Sequence, residues 1–455
     1  MSSWLQTVYR GIYDGLASRG SGSLDSPMKI RSGNDVNNGD VNILVLKAYK
    51  EDGSQDADYK RYVTEIHIFE SILSPAIYCN LIIKDAINIA EYFKLGVGDL
   101  VHIKFQTPGA EVCEYVFKVN TPEVGKIRSP NNLFDVYTAE LVSVQAIAAF
   151  IDKEANMEGF DIGGTADNII ERILNEKIAG LAEVKRAEGY RSQPVGQHYD
   201  VGHGIIGRNP LQARRLPSNS PGAIRKPFET IHQMVLLNDM SPEGHSLYTF
   251  FERKDGYWFK AIEGLMEFGK RLIEQGQSDK IFYYDDLRNH DASAVKYRNI
   301  LAFSILNNDG GDRHDTVAVT GINSADGVVS PSERPDDNIN NNIANPTTVR
   351  NSTTRSDIIN TTEFFHLPRL VANRARLLSR ITQFEAQMMI YGDTNMAAGD
   401  VVECNFQQAT GTVQENIPSK DAGYYLITHL RHMILNTDSP QHAISCSLMR
   451  AEPQR

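Results

Sequence analysis

The sequence lacks the features that would place it among membrane, nucleotide-binding or hydrolytic proteins. It has no uninterrupted apolar run of the roughly 18 residues that a membrane-spanning helix needs, so no membrane span is expected. It contains neither the G-x-x-x-x-G-K-S/T loop that cradles phosphates nor the G-x-S-x-G turn that presents a nucleophilic serine. We therefore expect no enzyme activity, no catalytic residue and no cofactor.

Cysteine is scarce, with four residues in 455, and no two of them form a C-x-x-C pair. Cys79, Cys113, Cys404 and Cys446 each lie in an apolar or alternating run. Buried free thiols in a reducing compartment are the simplest interpretation. One long-range disulfide is the alternative that the sequence leaves open.

A surplus of positive charge is also missing. The chain has 46 Lys and Arg against 57 Asp and Glu, a formal net charge of −11. A protein whose main task is to grip nucleic-acid phosphates needs clustered Lys and Arg, so this balance argues against that task. The 41% of hydrophobic residues allows sizeable cores, and the length predicts roughly three domains.

Residues 1–27 are predicted to form an amphipathic helix and a flexible tether. The apolar residues that recur at helical spacing include Trp4, Leu5, Val8 and Ile12, and a Gly- and Ser-rich stretch follows them. No continuous apolar stretch is present, so a secretory signal is not expected. The apolar face either folds back on its own domain or docks on a partner chain.

The rest of the chain divides into five segments. Residues 28–155 hold short runs rich in Val, Ile, Tyr and Phe, which predict a first β-barrel domain. Residues 156–240 are predicted to be helical and irregular, and residues 241–329 to form a mixed β domain that belongs partly to a second barrel. The Asn-rich residues 330–362 are predicted as a loop or linker. Residues 363–455 are predicted as a helix followed by the second β-barrel domain.

The segment SLYTFFERKDGYWFKAI, at 246–262, carries a strong hairpin signal. Two aromatic runs flank Asp255-Gly256, a pair that favours a tight turn between strands. The aromatic residues that we expect as core and cross-strand pairs are Phe250, Phe251, Tyr257 and Phe259. The alternative is a sugar-stacking platform that also uses Tyr248 and Trp258.

Histidine offers no convincing metal site. His429 and His432 lie three residues apart in a predicted strand, so their side chains are expected on opposite faces. His198 and His203 lie in a Gly-rich loop without a cysteine or carboxylate cluster at ligand spacing. We therefore expect no bound metal.

One phrase occurs twice, as GVGDLVHIKF at 96–105 and AAGDVVECNF at 397–406. The matching residues are Gly98 and Gly399, Asp99 and Asp400, Val101 and Val402, and Phe105 and Phe406. Gly-Asp supplies a turn, and the alternate apolar residues that follow line one buried face of a strand. Two further strands follow each copy. The alternative is that the two phrases match by coincidence. If they mark a duplication, the chain is predicted as a β-rich α+β multidomain protein, with two barrel-like β domains and inserted mixed α/β domains.

The order of these blocks resembles the baseplate central hub proteins of contractile-tailed bacteriophages, a family related to the hubs of contractile injection systems. The resemblance is carried by GDLVHIKF, TADNIIERIL, KPFETIHQMV with YTFFERKDGYWFKAI, GDVVECNF, and GYYLITHLRH with SLMR. These blocks span most of residues 40–452. The N-terminal helix and the Asn-rich stretch depart from the simplest members.

The resemblance implies a homotrimer whose two β tube domains per chain form a pseudo-hexameric ring. Such a ring adapts a trimeric central spike to a hexameric tail tube or tube-initiator protein, and baseplate wedge proteins contact its lateral domains. DNA or tape-measure protein crosses the lumen as transient cargo only. The expected location is the tail baseplate of the virion, after assembly in the host cytoplasm. A tail-associated cell-wall hydrolase and a glycan-binding module are the alternatives from other classes.

Overall fold

A computed structural model of the chain describes residues 39–51, 53–86, 89–128, 134–151, 157, 160, 166–178, 226–237, 248–284, 300–308, 316–322, 354–360, 384–406 and 421–450. Within them the protein is a mostly antiparallel β-sheet that curls into a half-barrel, with few helices. The predicted N-terminal helix, the predicted helix at 367–383, and the histidines at 198 and 203 lie outside the described residues.

The first half of the sheet comes from the N-terminal part of the chain. Its strands are β1 Asn42–Tyr49, β2 Asp56–Asp58, β3 Val63–Ser71, β4 Tyr78–Asp85, β5 Leu100–Gln106, β6 Cys113–Arg128 and β7 Asp135–Ser143. Period-two patterning explains them. In β4, for example, Cys79, Leu81 and Ile83 are buried and alternate with more exposed residues.

The second half contains a further set of strands from the C-terminal part. They are β10 Ile281–Tyr284, β11 Ile300–Asn308, β14 Phe384–Tyr391, β15 Val401–Phe406, β16 Gly423–Leu435 and β17 Gln441–Arg450. Between the halves, β8 Tyr248–Arg253 and β9 Gly256–Ala261 form a separate antiparallel hairpin.

The two halves have the same strand order. The first runs β3-β4-β7-β6-β5-β1, and the second runs β11-β14-β17-β16 and continues through β15 to β10. Every corresponding pair of neighbours is antiparallel, with one exception. In the last pair, β1 runs antiparallel to β5 whereas β10 runs parallel to β15. The doubled phrase therefore belongs to a doubled architecture.

Two irregularities of the sheet also occur twice. The register of β6 against β7 shifts just after Val119, and that of β16 against β17 shifts just after Ile427. Likewise, β3 shifts against β4 just after Val63, and β11 shifts against β14 just after Ile300. A β-bulge adds one residue and bends its strand, so the halves share local detail as well as order.

A strand pairing, here called the internal joint, connects the halves. The later part of β16 pairs antiparallel with β3, from His429 opposite Ser71 to Leu435 opposite Glu65. The earlier part of β16 pairs with β15 instead. The sequence predicted two barrel-like domains, and the structure joins the thirteen described strands of both halves into one continuous sheet through this pairing.

Five helices accompany the sheet in the described residues: α1 Ile89–Tyr92, α2 Val144–Ile151, α3 Ala166–Ile173, α4 Pro227–Leu237 and α5 Ile262–Glu274. A π-helical turn, Leu174–Ile178, continues α3. The sequence predicted α3 and α4 but neither α2 nor α5. Helix α5 follows the hairpin directly, and its N-cap residue Ala261 makes no side-chain capping bond, so the usual start signal is missing.

The prediction of a loop or linker over 330–362 differs from the structure near its end. There β13, Thr354–Asn360, pairs in parallel with β12, Thr316–Ile322, in a small separate sheet. Composition gave little apolar surface to justify a strand, but the pairing satisfies the backbone groups of the segment.

The cores of the two halves contain the cysteines. Cys79 and Cys113 are buried in the first, Cys404 and Cys446 in the second, and all four are free. The thiols therefore pack as small apolar groups, and the disulfide alternative is not realised. Among the described residues, no helix has the length and apolar character that crossing a membrane requires.

Candidate assembly site

The first copy of the doubled phrase builds a tight turn before β5. Gly98 has a φ of 94°, a conformation that glycine adopts without strain. Its backbone N–H donates to the carbonyl of Val119 at 2.9 Å, and the N–H of Val119 donates back to the carbonyl of Asp99 at 2.8 Å. The Asp99 carboxylate accepts from the backbone N–H of Gly96 at 2.8 Å and pairs with Lys50 at 2.8 Å.

The second copy repeats this turn before β15, bond for bond. Gly399 has a φ of 85°, and its N–H donates to the carbonyl of Ile427 at 2.8 Å. The N–H of Ile427 donates to the carbonyl of Asp400 at 2.9 Å, and the N–H of Ala397 donates to the Asp400 carboxylate at 2.8 Å. Lys280 pairs with Asp400 as Lys50 does with Asp99.

The strand residues that follow each turn line the cores as the alternation predicts. Val101 and Val402 are buried in equivalent places on β5 and β15. Phe105 is fully buried, whereas Phe406 is partly buried and packs against Phe303 with ring centroids 4.5 Å apart.

Glu70 ties the second turn to the first half of the sheet. This residue of β3 is buried and accepts a hydrogen bond from the Tyr115 hydroxyl of β6 at 3.0 Å. Its other carboxylate oxygen accepts the backbone N–H of Ala398 at 3.0 Å. Burial raises the pKa of Glu70, and these two hydrogen bonds counteract part of that rise.

The hairpin β8–β9 lies between two cores. One face presents Phe250 and Tyr257, whose rings stack at 5.3 Å, to Phe228 of α4. The other face presents Phe251, which packs with α5 residues and with Val401 of β15. Asp255 accepts the Trp258 indole N–H at 3.2 Å, and Gly256 has a φ of 122° at the turn.

Phe259, like the other paired hairpin rings, is buried. The half-buried Trp258 ring has the Arg253 guanidinium 4.1 Å from its centroid. The hairpin aromatics therefore act as cross-strand and core pairs, and they leave no open stacking platform for a sugar.

Two ionisable residues fix the hairpin against the sheet. The Glu252 carboxylate accepts the Ser143 hydroxyl at 2.6 Å and the backbone N–H of Ile77 at 3.2 Å. Burial raises the pKa of Glu252 to about 8. Arg253 reaches Asp255 at 3.0 Å and Asp400 at 3.4 Å.

Asp400 remains charged in this buried setting. Burial alone would raise the pKa of Asp400, but Arg253 and Lys280 outweigh it and lower the pKa below its usual range. The second turn is therefore a junction at which both halves, the hairpin and the start of β10 meet.

The histidines of β16 separate as the strand period requires. His429 is exposed, whereas His432 is buried and its ring lies 3.0 Å from that of His442. Burial lowers the pKa of His442 to about 3, so the pair is neutral at ordinary pH. Within the part of the chain that the structure describes, no group of three His, Cys, Asp or Glu side chains is placed to hold a metal ion.

Sequence reasoning missed Glu70, Glu252 and Arg253. Glu70 and Glu252 each follow an apolar residue inside a strand, and this is the signal that could have drawn attention to them. Arg253 lies in the charged run from Glu252 to Asp255 and carries no such signal. Their partners lie up to 328 positions away, so spacing along the chain carries no trace of the contacts.

Comparison with known proteins gives a fold but no sequence relative. No protein-family model matches the sequence, and no curated protein matches it significantly. The 43 kDa tail protein of prophage MuSo2 from Shewanella oneidensis aligns with 90% of this chain and 98% of its own, with a TM-score of 0.50 and 12% identity. A tail protein from Neisseria meningitidis MC58 aligns with 90% and 99%, with a TM-score of 0.49 and 10% identity. The chain thus shares the fold of a prophage tail protein.

Proposed function

We propose that this chain is a structural hub protein of a phage tail baseplate, and that it works as a homotrimer. Three copies of a chain with two like halves give six similar units around one axis. Such a ring mates a threefold central spike with a sixfold tail tube or tube-initiator protein. DNA or tape-measure protein passes through its lumen without being bound.

The observation that carries the proposal is the doubled strand order, with the same hydrogen-bonded turn in each half. A chain with one such half could not present sixfold surroundings as a trimer. The shared fold with a prophage tail protein supports the same class of function. The helices around the hairpin form a separate core beside the sheet and are the part that we assign to contacts with baseplate wedge proteins.

No catalysis is needed for this role. The ionisable residues of the junction are matched by hydrogen bonds or opposite charges, as in a structural joint. We place the protein in the tail baseplate of a virion that is assembled in the host cytoplasm.

The mass of the purified full-length chain tests the proposal. Light scattering should give three times the mass of one chain, and averaged electron micrographs should show a ring with six similar lobes. A single-chain mass at every concentration would overturn the trimer. Cleavage of purified cell walls by the protein would overturn the non-enzymatic role and favour a tail-associated hydrolase.

A further inference from the structure

Besides the outer sides of the short strands β2 and β10, two longer edges of the sheet have no partner among the described residues. Strand β11 pairs with β14 on one side only. The later part of β6, Thr121–Arg128, pairs with β7 on one side, while β5 accompanies only the earlier part, Cys113–Lys118. Unpaired backbone groups on an edge are ready to pair with another strand.

The internal joint shows which strand fits such an edge. In the second half, the part of β16 beyond β15 pairs with β3. By strand order, β16 is the equivalent of β6, and β3 is the equivalent of β11. The free edge of β6 therefore corresponds to the edge that β3 covers, and the free edge of β11 to the side of β3 that β16 covers.

Apolar side chains that are buried at the internal joint are exposed at the equivalent positions of the two free edges. Ile68 of β3 is 0% exposed, whereas its equivalent Ile305 of β11 is 39% exposed. Met433 of β16 is 8% exposed, whereas Ile127, which occupies its place on β6, is 68% exposed. Large apolar side chains at an open sheet edge are typical of an interaction surface.

Register can be transferred from the internal joint. Met433 pairs with His67, and Met433 also pairs with Ala443 of β17. On β6, Ile127 pairs with Val136, which the common register of the two halves makes equivalent to Ala443. On β11, Ser304 pairs with Gln387, as His67 pairs with Asn80. Ile127 and Ser304 are thus the equivalents of a paired Met433 and His67.

We propose that the later part of β6 pairs antiparallel with β11 of a second copy of this chain, with Ile127 opposite the second copy's Ser304. This inference rests on the proposed homotrimer and names the surface that closes it. Each copy gives one edge and receives a different one, so the contact is heterologous and closes into a ring. Internal and intermolecular joints then alternate, and every strand edge at a joint is paired.

The geometry of β6 limits where the pairing is centred. Compared with β16, β6 has two additional register shifts, one on each side of Val124. Pro122 has no N–H to donate. The pairing is therefore centred on Val124–Arg128, where Val124 and Ile127 are both exposed.

Cysteine cross-linking of the full-length chain tests this register. Ile127→Cys and Ser304→Cys are made in one chain, and equal amounts of isotopically light and heavy protein are assembled together and oxidised. Opposite residues of antiparallel strands have the Cα separation that a disulfide needs. The four native thiols are buried. Val112→Cys with Ser304→Cys is the matched control, since Val112 is exposed and lies immediately before the other end of β6.

Linked peptides of positions 127 and 304 should form in the test variant, with mixed light–heavy pairs making up about half of them as random assembly requires, and should be absent from the control. Links within one isotope only would mean that the two edges meet inside one chain, and would overturn the inference. A trimer by mass without any link between 127 and 304 would overturn the inference and leave the proposed function intact. A single-chain mass would overturn both.

A second variant, Ile127→Lys, tests the same pairing without cross-linking. The side chain is exposed in one chain, so the thermal unfolding midpoint of the dissociated chain should not change. The measured mass should fall from three chains to one. An unchanged trimer would overturn the inference.

Discussion

The two copies of the turn are alike in their backbone bonds and different in their surroundings. At the first, the Asp99 carboxylate is buried and pairs with Lys50, and the side chain nearest to Gly98 is the flexible Glu51. At the second, the Asp400 carboxylate lies between two cations, Arg253 and Lys280. A turn fixed by backbone geometry has thus been kept twice, whereas the side chains around it serve different neighbours.

The difference shows how one chain can use the same unit for two purposes. The residues Ala398 and Val97 occupy equivalent places in the two turns, yet Ala398 is buried against Glu70 while Val97 is exposed. The second turn is a completed junction inside one chain. The first has the same backbone and an open side, as a unit that meets another copy requires.

The largest effect is expected where the buried charge is removed from the second turn. Asp400→Asn leaves Arg253 and Lys280 without their shared counter-charge, which should cost about 3–5 kcal/mol of the free energy of unfolding. Asp99→Asn leaves only the partly exposed Lys50 without this counter-charge and no buried arginine, so it should cost about 1–2 kcal/mol. Urea titration of both variants measures the difference, and equal losses would contradict the asymmetry of the two turns.

Equivalent isoleucines test the covered and open edges. Ile68→Ala removes a fully buried side chain beside β16 and should cost about 2–5 kcal/mol. Ile305→Ala should cost the dissociated chain well under half of that, because the side chain is 39% exposed there. The same substitution should weaken the trimer, seen as a higher concentration for half-dissociation. If Ile305→Ala left the dissociation unchanged, β11 would not lie at the joint.

Glycine substitutions separate backbone strain from crowding. A valine at either Gly98 or Gly399 would have to adopt a positive φ, and this strain should lower the free energy of unfolding by about 1–3 kcal/mol. At Gly399 an added Cβ would also lie 3.1 Å from the buried Phe251 ring, and overpacking should add about 1–3 kcal/mol. At Gly98 the neighbour is the movable Glu51 carboxylate. Thermal unfolding should rank Gly399→Val below Gly98→Val, and the reverse order would show that Phe251 yields freely.

Much of the β architecture could be predicted from local patterns, because alternation and turn chemistry are written in consecutive residues. Gly98-Asp99 and Gly399-Asp400 identified the repeat, and Asp255-Gly256 identified the hairpin. The internal joint could not be predicted, since the pairing of Met433 with His67 depends on a register set by strands hundreds of residues apart. Helix α5 was missed because it begins without a capping side chain.

The turn residues of the site were predicted from the sequence, whereas the ionisable residues that surround the second turn were missed. The turn residues follow from glycine's conformational freedom, which a sequence states directly. Glu70, Glu252 and Arg253 have roles only through partners that the fold brings to them. A charged residue inside an apolar strand signals that a partner is needed, but it does not say which one.

A further effect, which is spread over pH, comes from Glu252, which has no equivalent at the first turn. Because the folded pKa is about 8 against an ordinary value of 4.5, the folded chain holds a proton that the unfolded chain has lost between these values. Stability therefore falls as pH rises through this window, by at most about 1.4 kcal/mol per pH unit. Glu70, whose pKa is also raised, contributes with the same sign.

Glu252→Gln keeps a hydrogen-bond acceptor for Ser143 and Ile77 but removes the titrating group. The fall in the free energy of unfolding between pH 5 and pH 8 should therefore become shallower. At pH 8 the variant should be more stable than the parent. Urea titrations at three pH values within this window measure the slope. Glu51→Gln, at an exposed glutamate beside the first turn, is the control and should leave the slope unchanged. If the free energy of unfolding changed with pH equally in the parent and in Glu252→Gln, the prediction would be wrong. The Glu252 carboxylate would then be as accessible to water as a surface group.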